Sequence, residues 1–176
     1  DFYWVPTFTM PNMPTVVSTH CYAAALDFLA QRYSDPDMRI AHWIIHNEVD
    51  GGIHWTNMGD KPIATFMDTY LRSMRMCYNI VRQYDEHAEG FASFSHSLTD
   101  ISNVGWYTSK DIVDLLNTYS RVEGDFQWAM AYHSYAQSLF NPCTWLDPDA
   151  TYSMDTKYIT FKNLEVLNKW ALSKEN

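Results

Sequence analysis

Three short apolar runs, separated by long amphipathic stretches, limit what this chain can fold into more than any other feature. Residues 40–46, 90–95 and 126–132 are bounded by polar and turn-forming residues, the pattern of strands buried in a parallel sheet. Between them the apolar residues recur at helical spacing. Ser18 or Thr19 is placed to cap a first helix running to about Tyr33, with Leu26, Leu29, Ala30 and Tyr33 at i, i+3, i+4 and i+7. Pro62 suits the first turn of a second helix reaching Tyr84, whose stripe is Ile63, Phe66, Met67, Tyr70, Leu71, Met74, Tyr78 and Val81. Ser109 is expected to cap a third, burying Ile112, Leu115, Leu116 and Tyr119, and a last helix is expected over about 161–172. Residues 1–17, with Pro6, Pro11 and Pro14, suit an irregular segment lying over a surface. Helix alternating with strand is the βαβ rhythm, so the expected class is α/β, with parallel strands and helices outside.

A chain of 176 residues fits a single domain with a real core. Three strands are too few to close a barrel, and a three-stranded sheet leaves two edges unpaired. Both ends also read as cut. There is no initiating Met or signal peptide, no strand precedes the first helix, and the sequence stops after a helix where a strand would be due. The expectation is therefore a central slice of a larger (β/α)₈ barrel, with a compact three-stranded α/β domain as the competing account. Such a slice would self-associate or retain the remainder of its parent barrel.

A net charge of −9 argues against nucleic acid as a partner. The absence of any run of eighteen apolar residues argues against a membrane-spanning helix. Cys21, Cys77 and Cys143 are isolated, giving neither a disulfide framework nor paired metal spacing. They leave the compartment open, with a secreted or periplasmic location among the expectations. Seven Trp and twelve Tyr exceed what a core of this size needs, which points to sugar stacking or to a protein interface.

Chemistry on α/β folds gathers at the carboxyl ends of the strands. Here the strands lead into His46-Asn47-Glu48, His96-Ser97 and His133-Ser134-Tyr135, which would converge at one mouth. Asp50, His54 and Trp55 follow Glu48, where an ordinary polar loop competes with substrate contact. Trp106, Tyr107 and Trp145 lie in the later loops as stacking platforms or buried anchors. His42, His46 and Glu48 fall on alternating strand positions, the chief argument for a metal. At about 3.3 Å per residue, however, His42 and His46 stand roughly 13 Å apart, too far to share one zinc. His46 with Glu48 stays geometrically open, but no metal and no cofactor is expected. Ser97 lacks the glycines of a nucleophile elbow.

The order of these strand ends resembles strands four, five and six of the clan A glycoside hydrolases, whose fourth strand ends in Asn-Glu and whose sixth often carries His-x-Tyr. More narrowly, residues 43–49, 123–126, 131–133 and 159–163 are similar to an uncharacterised bacterial family of that clan, and the resemblance runs from about residue 16 onward. It implies a carbohydrate substrate and a retaining glycosidase with Glu48 as the general acid/base. Asn47 would hold the sugar 2-hydroxyl, and His133 and Tyr135 would line the subsite floor and orient a second carboxylate. His96, Trp55 and Trp106 are the further candidate substrate contacts. The clan's nucleophile is a Glu ending strand seven, which this sequence does not reach. Glu165 is nearest by position, but its neighbours read as a helix. The alternative is a non-catalytic carbohydrate-binding or interaction module on a degenerate barrel.

Overall fold

The computed structural model describes residues 8–122 and 124–173. Strands β1 (His42–Ile45), β2 (Glu89–Phe94) and β3 (Trp128–Tyr132) form one sheet in the order β1-β2-β3, parallel throughout. They alternate with helices α1 (Val16–Arg32), α2 (Gly52–Trp55), α3 (Ile63–Tyr84), α4 (Ser109–Val122) and α5 (Leu164–Leu172). The α/β class, the three parallel strands and their order are as the apolar runs and helical spacing predict.

Alternation along a strand gives the sheet two unlike faces. Ile45, Ala92 and Phe94 point into the core, where they join Phe66, Met67, Tyr70, Met74, Ile112 and Leu116 from α3 and α4. Tyr70 also donates its hydroxyl to the Ile45 carbonyl, and Trp128 donates its indole N–H to Ser120 of α4. The opposite face carries His42 and Ile44 beside Glu89 and Phe91, and Ile44 is 57% exposed. Helices α3 and α4 therefore cover one side of the sheet only.

Several local expectations are corrected. Thr15, not Ser18 or Thr19, caps α1 by accepting from the Ser18 N–H. Leu29 is exposed, because the buried side of α1 is set by Leu26 and Ala30 against α3. The α4 cap belongs to Thr108, whose hydroxyl accepts from the Asp111 N–H. The Ser109 hydroxyl is instead buried against the Ser97 carbonyl and Tyr132. A short helix, α2, stands in the loop after β1, and α5 begins at Leu164 rather than 161. Of the proline-bearing opening segment, residues 1–7 lie outside the described residues, while Thr9 bridges to Asn57.

Candidate active site at the carboxyl ends of the strands

The backbone leaves β1 by an unusual path. His46 and Glu48 both adopt positive φ, 65° and 37°, a region that side chains with a Cβ enter at a cost of about 1–3 kcal/mol. Hydrogen bonds to the end of β2 hold this loop down. The Ser93 hydroxyl accepts from the Glu48 N–H at 3.2 Å, and the Ser93 carbonyl accepts from the Val49 N–H at 3.0 Å. Asp50 then takes both the N–H and the hydroxyl of Ser95, at 2.9 and 2.5 Å.

The left-handed turn at His46 breaks the alternation expected of His42, His46 and Glu48. His42 is exposed, 3.6 Å from Glu89 at the far end of the sheet. His46 turns toward the helices, with Nε2 2.8 Å from the Ser73 hydroxyl and its ring stacked near Tyr22. Burial away from any charge partner pushes its pKa down to about 4. Glu48 goes elsewhere, so His46 and Glu48 form no ligand pair. Among the described residues no group of three His, Cys, Asp or Glu side chains is placed to hold a metal ion.

Glu48 meets His133 from the end of β3: Oε1 lies 2.8 Å from Nδ1, with side-chain exposures of 16% and 28%. The other ring nitrogen, Nε2, is 3.3 Å from the Ser93 hydroxyl. Ser93, His133 and Glu48 thus have the connectivity of a nucleophile–base–acid triad. Ser93 is fully buried inside β2, however, and accepts from the Glu48 N–H, so no substrate carbonyl can reach it. What the arrangement provides is a part-buried carboxyl with one oxygen fixed by an imidazole and, among the described residues, no hydrogen-bond partner on the other, suited to moving a proton.

The remaining candidates divide. His96 is partly buried with its ring 5.1 Å from that of Tyr158. Burial lowers its pKa, and the negative charge of Glu48 partly offsets that fall. Tyr135 is exposed and meets the His133 ring edge-on at 5.9 Å. Asn47 and Trp55 share a small cavity with His46, Thr9 and Phe8, where Phe8 stacks on Trp55 at 5.6 Å. Trp106 stands on the other side of the loop, edge-on to His54 and lining a second cavity with Phe66 and Tyr107. Gly51 lies between the two indoles: a Cβ there would stand 3.1 Å from Trp55 Cδ1 and 3.2 Å from Trp106 Cζ2. Trp145 is largely exposed in the loop after β3, and Glu165 is exposed in the first turn of α5.

Ser93, Phe8 and Tyr158 enter this site without having been singled out as its members, and Asp50, weighed as a substrate contact against an ordinary polar loop residue, is instead buried on Ser95. A serine inside the apolar run Phe91-Ala92-Ser93-Phe94 is a readable signal, since a buried hydroxyl needs partners. Phe8 carried none, because only the bridge from Thr9 to Asn57 brings it over Trp55.

Fold and site together define an α/β protein with a carboxyl–imidazole pair at the carboxyl ends of parallel strands, flanked by exposed aromatic residues. The chain belongs to the Family of unknown function (DUF5722), whose model matches residues 5–176. No curated protein and no solved structure matches it.

Proposed function

We propose that this chain is part of a (β/α)₈ barrel whose full protein is a retaining glycoside hydrolase, with Glu48 as its general acid/base. The observation that carries the reading is the Glu48–His133 contact at the carboxyl ends of adjacent-but-one parallel strands. A glycosidase acid must present one carboxyl oxygen to the glycosidic oxygen in a fixed direction, and a hydrogen bond to the other oxygen supplies that. Asn47 is exposed beside Glu48, as a 2-hydroxyl contact requires, and Phe8, Trp55 and Trp106 offer faces for sugar rings. The barrel part of the proposal is supported by the bare sheet face and by the free edges of β1 and β3. Helices on one face only are what a barrel wall has, since its inner face meets other strands.

The second carboxylate is a separate matter. Asp50 is fully buried on Ser95, and Glu165 is exposed on α5, so neither is presented to an anomeric carbon beside Glu48. In the proposal the nucleophile comes from a part of the barrel beyond this chain. The same observation favours the second reading, a carbohydrate-binding module that has lost its nucleophile.

A panel of nitrophenyl glycosides, tried on the full-length natural protein and its Glu48→Gln variant, separates the two. Hydrolysis of at least one glycoside by the natural protein, reduced by the substitution, supports catalysis. Binding of oligosaccharides to both proteins without turnover would leave the binding module.

A further inference from the structure

We propose that Asp50 is the positioning residue of the Glu48 loop, clamping it to the end of β2 through its paired bonds to Ser95, and that the clamp depends on Asp50 being ionised. The inference takes its functional meaning from Glu48 as the working acid, but the clamp itself is a matter of geometry.

Three successive residues of the loop are tied to two residues of β2 and its extension: Glu48 to the Ser93 hydroxyl, Val49 to the Ser93 carbonyl, and Asp50 to Ser95. The first two are single neutral bonds. The third is a buried carboxyl taking two donors, and charge-assisted bonds of this kind are roughly twice as strong as neutral ones. Asp50 also fixes the loop's other margin, because its carbonyl accepts from the Tyr107 N–H at 2.9 Å. Between β1 and this anchor lie the two left-handed residues, His46 and Glu48. Without the anchor nothing as strong holds Glu48 at the height where Oε1 reaches His133.

The donors match the anion. With Asp50 ionised, Ser95 gives it both its N–H and its hydroxyl proton, while the Ser95 oxygen accepts from the Ser97 N–H at 3.1 Å. Every group is satisfied. Protonating Asp50 at Oδ2 reverses the hydroxyl bond. The Ser95 oxygen then accepts from Asp50 as well as from Ser97, and its own proton loses its acceptor. The charge is nonetheless expensive to keep. Among the described residues, the titratable groups around it are Glu48 on its own loop, Tyr70 from α3 and Tyr132 from β3, and none of these is a cation. Burial pushes the Asp50 carboxyl up to about 6, the Ser95 bonds pull against that rise, and the charge of Glu48 adds to it. The clamp is therefore engaged above that pH and loosened below it.

Carboxyl-selective ¹³C NMR of the protein, titrated between about pH 4 and 8, tests this without substrate. Asp50 should titrate well above the exposed aspartates, and Glu48→Gln, which removes a like charge, should move its midpoint down. The backbone amide signals of residues 46–51 should show a step at the Asp50 midpoint, and Asp50→Asn should abolish that step. Titration of Asp50 alongside the exposed aspartates, or persistence of the loop step in folded Asp50→Asn, would overturn the proposal. Should Asp50→Asn not fold, Ser95→Ala decides. Removing the hydroxyl donor must raise the Asp50 midpoint, and an unchanged midpoint overturns the clamp. Because no glycoside is involved, a failed titration leaves the hydrolase reading standing, and inactivity toward glycosides leaves the clamp standing.

Discussion

Glu48 and His133 are 85 residues apart in sequence and 2.8 Å apart in space, joined across β2 by the hydroxyl of Ser93. The pair ties the loop after β1 to the end of β3, so its energy should be visible in stability as well as in activity.

A double-mutant cycle on Glu48→Gln and His133→Ala measures that energy. The contact is a part-buried carboxyl–imidazole hydrogen bond, so a coupling of about 1 kcal/mol or more in urea unfolding is expected. Additive losses would mean that the contact contributes nothing in solution. In the proposed glycosidase, His133→Ala should lower kcat/KM by about 10–100-fold through misorientation of Glu48, with the loss mostly in kcat.

His46 and Asp50 oppose each other in the pH dependence of stability. The folded protein holds His46 down at about 4, below the ordinary 6.5, so its contribution is present above about 6.5 and is lost as pH falls toward 4. It holds Asp50 up at about 6, above the ordinary 3.8, so stability falls as pH rises from about 4 through 6. Each effect is on the order of 2–3 kcal/mol at full extent, and between pH 4 and 6 they largely cancel. Relative to the natural protein, His46→Gln should lose less stability as pH drops from about 6 to 4, and Asp50→Asn should lose more. Urea midpoints at three pH values read both slopes, and parallel slopes in the two variants would contradict the assignment.

Gly51 is needed for space rather than for backbone freedom. Gly51→Ala places a methyl between the two indoles and should cost about 1–3 kcal/mol, with a shift in tryptophan emission as Trp55 and Trp106 move apart. Unchanged emission and stability would show that the loop has slack there.

The bare sheet face and the free edges of β1 and β3 should make this chain associate with itself when nothing else covers them. Light scattering at rising concentration should report oligomers, and Ile44→Lys, which puts a charge on the exposed side of the edge strand β1, should reduce them. A monomer at all concentrations, unaffected by Ile44→Lys, would favour a self-contained domain over a barrel wall.

Much of this architecture was legible in the sequence, and the reasons are physical. Strands buried by helices must be apolar, so 40–46, 90–95 and 126–132 stand out, and the stripe from Phe66 to Val81 follows from the period of a long helix with one buried side. Glu48 and His133 stand out in the sequence because Glu48 closes the polar turn after the first apolar run and His133 directly follows the third. What was not legible lies in the loop after β1. The left-handed turn at His46, which sends it to Ser73 and away from Glu48, is a backbone choice that no side-chain pattern encodes. Asp50 read as one more polar residue because its partners, Ser95 and Tyr107, are distant in sequence and bond partly through backbone.

A proton-donating Glu48 shows itself most directly in the dependence of rate on the leaving group. In the proposed glycosidase, Glu48→Gln should slow glycosides with poor leaving groups by about 10²–10⁴-fold. Dinitrophenyl glycosides, whose leaving group departs with little protonation, should lose far less. Equal slowing of both substrates would contradict Glu48 as the acid.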